Sequence, residues 1–171
     1  MTDIKTPIQV ALKWGLISLI CSIILNLIVF NMGFSMFLPI LVLIVGLAIT
    51  IACMVIPVKE YRKQAEGFIS FQDAFIICIA VIGISSILTA IFSSVYVNYI
   101  DPSYFDRMAD SMQEWADKQG IGNSPDMEKA IEDIKNGKNK GFLSSIFQSL
   151  IVGTIISLIV AAIMQKKKPA F

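Results

Sequence analysis

Asp106, Asp110, Glu114 and Asp117 recur three or four residues apart. That spacing gathers carboxylates on one face of a helix, where their chemistry would be to hold a divalent cation. The same spacing also describes the solvated face of an amphipathic helix. Because no calcium-loop order with its turn glycine is present, no metal site is assigned. A second set of candidates is uncharged. Asn26, Ser94 and Gln148 each fall within about six residues of a helix end on one side of the apolar region, hence at a shared depth of roughly 6–9 Å, and together form a candidate polar crevice. Ser22, Thr89, Ser93 and Ser149 lie in the same half. The plainer account is that the hydroxyls bond to carbonyls of their own helices and that Asn26 and Gln148 pair across helices. Catalysis would require more than this. The chain has no histidine, the usual base near neutral pH, and Asp101, Asp106 and serines without a partner base are the only candidates near the interface. Phosphate-binding glycine loops, nucleophile elbows and zinc signatures are absent. No catalytic residue, cofactor or metal is expected, and the chain is not expected to be an enzyme.

The elements that must hold these residues are set by four apolar stretches, at 8–30, 36–58, 71–97 and 142–164. Each is roughly 20 residues or more, enough to cross a hydrocarbon core of about 30 Å as a helix. Backbone amides left unpaired in lipid are too costly, and no alternating ten-residue barrel pattern appears, so the spans are helices. Within 171 residues, 56% hydrophobic and 16% charged, no separate soluble domain fits. The expected architecture is all-α, one polytopic membrane domain over 1–171 with four transmembrane helices. Cys21, Cys53 and Cys78 sit inside the spans without metal-ligand spacing and read as small buried hydrophobes. Pro7 suits the first turn of helix one, Ser35 a cap before helix two, and Pro57 the end of helix two. Ser70 and Asp73 have the spacing of a capping box that opens helix three.

Residues 101–141 form the sizeable extramembrane part and read as a short amphipathic helical hairpin between helices three and four. Asp101-Pro102 has the look of an N-cap and first turn. Phe105, Met108, Met112 and Trp115 then recur at helical spacing as a candidate interaction stripe. Residues 120–123 break that helix, and Ser124-Pro125 opens a second one with Met127, Ala130, Ile131 and Ile134 on one face. Neither helix is long enough to be stable alone in water, so each stripe must be covered.

Helix four carries Ser145, Ser149, Gly153, Ser157 and Ala161 at an unbroken spacing of four, a candidate packing stripe of small residues against helix one or three, or alternatively a dimer seam. The lysines and arginines favour cytoplasmic termini. That side would hold Lys5, Lys13, Lys59, Arg62, Lys63 and the run 166–168, against Arg107, Lys118, Lys129, Lys135, Lys138 and Lys140 opposite. No Asp, Glu, Lys or Arg lies in the central part of a span, which weighs against proton-coupled transport. The bilayer itself is the expected partner, with a possible protein partner or a homo-oligomer beside it; nucleic acid is not expected.

Residues 11–16 in helix one, 59–62 after helix two, 67–71 with Ala74-Phe75, the 99–102 entry to the long loop and the basic tail resemble the domain of unknown function 4199 family. These are small four-helix inner-membrane proteins typical of Bacteroidetes. The resemblance implies a bacterial inner-membrane location for nearly the whole chain and carries over no catalytic residue. The function expected is a non-enzymatic membrane scaffold or interaction subunit, whose outward hairpin contacts a partner or covers the shallow crevice. The alternatives are an oligomeric channel or transporter component and a lipid-modifying enzyme.

Overall fold

The computed structural model describes residues 6–31 and 38–166, of which 38–39 and 137–145 in backbone only. Five α-helices follow in order: α1 (Pro7–Asn31), α2 (Leu38–Gln64), α3 (Phe71–Val95), α4 (Tyr104–Lys118) and α5 (Pro125–Met164), with a π-helical turn at Tyr96–Ile100 prolonging α3. Among the described residues, four segments are long and apolar enough to cross a membrane: Pro7–Asn31, Ile40–Gln64, Phe71–Ile100 and Ile146–Met164. Exposed aliphatic side chains surround the bundle, among them Ile8, Leu16, Ile44, Ile151 and Ile163. In water such a belt would be an aggregation surface. In a bilayer it is the lipid face of a multi-pass membrane protein.

Local chemistry sets the helix ends. Thr6 and Gln9 cap α1 reciprocally: the Gln9 amide donates to Thr6 Oγ1 at 3.3 Å and the Thr6 amide to Gln9 Oε1 at 3.0 Å, a capping box. Ser70 caps α3 by accepting from the Asp73 amide at 3.0 Å, while its hydroxyl donates to Asp73 Oδ2 at 2.7 Å. At the end of α4 the chain closes in a Schellman motif. Gly120 takes φ +72°, a conformation that favours glycine, and the Ile121 amide donates to the Ala116 carbonyl while Gly120 donates to that of Asp117, both at 3.0 Å. Ser124 and Pro125 open α5, where the sequence places a helix start.

Three boundaries differ from the sequence expectation. Pro57 lies inside α2, which runs on to Gln64. An interior proline costs about 3 kcal/mol, and here the turns beside it are tied down: Pro57 and Val58 are buried, and Glu60 binds Lys13 and Trp14 of α1. Asp101-Pro102 precedes α4 rather than starting it, because the Asp101 carboxylate binds Arg107 and Ser103, and Ser103 is the N-cap. The second hairpin helix and the fourth span are one helix of 40 residues. A break at residues 137–141 would orphan up to four amides and four carbonyls near the membrane surface, a larger penalty than about 1 kcal/mol for each of two helical glycines. The expected Ser35 cap falls outside the described residues.

α3 is the central helix, packed against α1, α2 and α5. Lipid tails are as apolar as leucine, so burial alone does not drive these helices together, and close packing must do so. Two glycines provide it. A Cβ on Gly153 of α5 would lie 2.6 Å from Ile82 Cγ2, and one on Gly15 of α1 would lie 3.0 Å from Ile84 Cγ2. The dry core occupies the half of the bundle nearest the chain termini, with Ala11, Met54, Val58, Ala74, Ile77, Cys78 and Ala161 buried together. At that end residue 166 pairs with the turn before α3, Ile69 and Lys166 exchanging backbone bonds of 3.0 and 2.9 Å.

Candidate functional site

In the half of the bundle toward α4, a cavity of about 510 Å³ lies between α1, α2, α3 and α5. Its existence follows from where α2 is buried. Cys53, Met54, Pro57 and Val58 of α2 are inside the protein, whereas Leu41, Leu43, Ile44 and Leu47 are exposed, so α2 closes on the bundle only in its second half. α1 and α3 line the cavity with polar groups: Ser18, Ser22 and Asn26 on α1, and Ser85, Ser86, Thr89 and Ser93 on α3. Successive members sit one turn or less apart, and from Ser18 to Asn26 they extend about 12 Å along the axis. Thr50 of α2 and Ser149 of α5 complete the polar lining. The other walls are aliphatic, and among the described residues no charged side chain contributes.

Several of these groups bond within their own helices. Asn26 Nδ2 donates to the Ser22 carbonyl at 2.8 Å, Thr50 to that of Gly46 at 2.8 Å, Ser85 to that of Ile82 at 3.2 Å and Ser149 to that of Ile146 at 3.0 Å. Thr89 differs. Its hydroxyl is buried and finds no hydrogen-bond partner among the described residues. An unmatched buried hydroxyl costs about 1–3 kcal/mol.

Of the three crevice residues expected from sequence, only Asn26 lines this cavity. Ser94 accepts from Asn98 through its carbonyl at 2.8 Å and its Oγ at 3.4 Å, and Gln148 is exposed on α5. Equal depth did not make them face one space. Ser18, Thr50 and Ser85 were not singled out in the sequence, and Ser86 reads there only as part of a small-residue packing stripe with Ala90 and Ser94. The signal that could have found Ser18 and Ser85 is the four-residue recurrence Ser18, Ser22, Asn26 on one helix and Ser85, Thr89, Ser93 on another. No α4 residue lines the cavity, so α4 does not cover it.

α4 packs against α5. Ala109 and Ala116 are fully buried, and Phe105, Met108, Met112 and Trp115 around them are half-buried. Met127, Ala130, Ile131 and Ile134 are likewise half-buried on α5. The packing stripe of α5 lies inward, with Gly153, Ser157 and Ala161 buried and Ser149 half-buried; the side chain of Ser145 is outside the described residues. Phe30 joins the hairpin's base to the bundle, stacking on Tyr96 at 4.5 Å and meeting Tyr104 edge-on at 4.7 Å.

The base of α4 is also its electrostatic centre. The Arg107 guanidinium grips Asp101 bidentately, one arm through Nη1 to Oδ1 at 2.9 Å and the other through Nη2 to Oδ2. That grip holds the Asp101 carboxyl below the usual carboxylate range and raises Arg107 further. Burial raises the Tyr104 phenol. Ser103 donates to Asp101 Oδ1 at 3.0 Å, a serine–carboxylate pair that resembles a nucleophile and its base. A carboxylate so stabilised is a poor proton acceptor, so Ser103 is not activated. Asp106, Asp110, Glu114 and Asp117 are exposed on α4, and among the described residues no three His, Cys, Asp or Glu side chains are grouped to hold a metal ion.

No curated protein and no solved structure is found to match the chain. A family match does exist, running from Lys13 near the start of α1 to Lys166 beyond the end of α5. It takes in most of α1, all of α2 to α5 and every residue of the cavity and the hairpin. The chain therefore belongs to the family described as proteins of unknown function, DUF4199, matched over residues 13–166.

Proposed function

We propose that this protein is a non-enzymatic interaction subunit of the bacterial inner membrane, with cytoplasmic termini and the α4–α5 hairpin presented on the opposite face to a partner protein. The observation that carries this reading is the continuity of α5. The apolar stretch of α5 begins at residue 142, so residues 125–141 form an arm that rises about 25 Å beyond it. α4 is clasped to α5 and its base is anchored through Phe30. A hairpin built on an uninterrupted helix keeps its height and direction relative to the bundle, as a docking platform requires. The positive side chains Lys13, Lys59, Arg62, Lys63 and Lys166 at the termini end support the orientation. A channel is disfavoured because polarity does not continue through both halves: the cavity gives way to the dry layer of Met54, Val58, Ile77 and Cys78.

The test is photo-cross-linking in native membranes from position 114, exposed on α4, and from position 155, exposed on the lipid face. A discrete protein adduct at 114, absent at 155 and lost when Ala116→Leu wedges α4 from α5, is the expected result. Lipid adducts alone at both positions would overturn the proposal.

A further inference from the structure

The cavity has features that the hairpin reading does not use. Its volume of about 510 Å³ lies within the roughly 300–1,000 Å³ typical of small-molecule sites. Leu43 and Leu47 on α2 and Val152 on α5 are lining residues that are also 67%, 43% and 50% exposed. The mouth therefore opens sideways between α2 and α5, at the depth of the hydrocarbon: Val152 is ten residues beyond the start of the apolar stretch at residue 142, about 15 Å below that edge. A ligand that enters there must be soluble in lipid. Among the described residues the lining carries hydroxyls and one amide but no charge, so the polar part of the ligand must be neutral, since an ion without a counter-charge in this setting is strongly disfavoured.

We propose that the cavity binds a neutral membrane amphiphile bearing hydroxyl or carbonyl groups, its polar end among Ser22, Asn26, Ser86 and Thr89 and its apolar chain leaving between α2 and α5. The unmatched Thr89 hydroxyl is a second, independent observation. Threonines in helices ordinarily bond to their own backbone, as Thr50 and Thr154 do here. Thr89 has no such bond among the described residues, so its hydroxyl gains a partner by turning toward a ligand oxygen. The proposal is independent of the partner-docking role, because no α4 residue contributes to the site.

The experiment uses the purified full chain in detergent micelles and follows thermal unfolding against three probes of similar chain length. These are dioctanoylglycerol, a quinone with a ten-carbon chain, and dioctanoyl phosphatidic acid. Saturable stabilisation by a neutral probe, at least tenfold tighter than any by the phosphatidic acid, is expected, and the neutral probe that saturates identifies the hydroxyl or the carbonyl source. Thr89→Val keeps the side-chain shape and should weaken binding about fivefold, the effect of one hydrogen bond. Ser86→Phe should abolish binding by filling the cavity. Thr154→Val, whose hydroxyl bonds the Leu150 carbonyl at 2.7 Å outside the lining, should bind as the wild type does. Should Ser86→Phe fail to fold, Thr89→Val still decides. Absence of saturation by either neutral probe, equal affinity for phosphatidic acid, or wild-type affinity in Thr89→Val would overturn the proposal.

Discussion

Gly153→Leu tests how closely α3 and α5 approach. Even the first added carbon would lie 2.6 Å from Ile82 Cγ2 and 2.7 Å from Ile82 Cδ1, whereas apolar carbons rest at about 3.5–4.0 Å. The helices must separate by roughly 1 Å, or Ile82 must move. Ile82 is only 5% exposed, in the packed core on one side and bordering the cavity on the other, so it can yield only toward the cavity. Overpacking costs about 1–3 kcal/mol, while replacing glycine in a helix returns about 1 kcal/mol. Gly153→Ala should therefore lose about 0–2 kcal/mol, the difference of those two ranges. Gly153→Leu, with three further carbons, should lose at least about 2 kcal/mol, near thirtyfold in the folding equilibrium. Ile151, 62% exposed on the same helix, supplies the control: Ile151→Leu should stay within about 0.5 kcal/mol. Unfolding by sodium dodecyl sulfate in mixed micelles, followed by circular dichroism, measures both. Coincident unfolding curves for Gly153→Leu and Ile151→Leu would refute the close approach.

Ser157 is fully buried and its hydroxyl has no partner among the described residues, so Ser157→Ala should raise stability by about 1 kcal/mol in the same titration; a loss of that size would reveal a bond the hydroxyl makes. The Trp14 indole donates to Glu60 Oε2 at 2.6 Å and Lys13 lies 3.0 Å from Oε1. Glu60→Leu should cost about 1–3 kcal/mol by stranding the donors, with Glu60→Gln in between. Equal stability of Glu60→Leu and the wild type would mean that solvent already satisfies them. Because Arg107 lowers the Asp101 carboxyl, its contribution is complete above the ordinary carboxylate value near 3.9 and disappears as pH falls through the lowered native one. Hydrogen exchange at residues 103–107 should accelerate only in strong acid in the wild type, whereas Arg107→Gln should exchange faster at neutral pH without that acid step. A shared pH profile would remove Arg107 as the cause.

The spans were legible because roughly twenty consecutive apolar residues have no other stable arrangement, the cap at Ser70 because its partner Asp73 is local, and the start of α5 because proline suits a first turn. What escaped depends on distant residues. Pro57 carries the usual mark of a helix end, and only the hold of Lys13 and Trp14 on Glu60 explains why α2 continues. The stretch 137–141, with two glycines, reads as a loop from composition, yet it joins an anchored hairpin to an anchored span and stays helical. Asp101-Pro102 resembles a helix start until Arg107, six residues on, claims the carboxylate. The cavity was hidden for a different reason. Whether Ser18, Ser85 and Ser86 face one another is decided by the rotation of α1 against α3, which Gly15 and Ile84 set and which no single helix encodes.

The central claim is an even number of crossings, with the hairpin on one side of the membrane and both ends of the bundle on the other. It is tested by single cysteines at Asn123 and Gln165, both exposed, in a protein whose Cys21, Cys53 and Cys78 have been replaced. With an impermeant thiol reagent on intact spheroplasts, position 123 should be labelled at once and position 165 only after the membrane is opened. Labelling of 165 and not 123 would reverse the proposed orientation, and equal labelling of both in intact spheroplasts would contradict the four-span architecture itself.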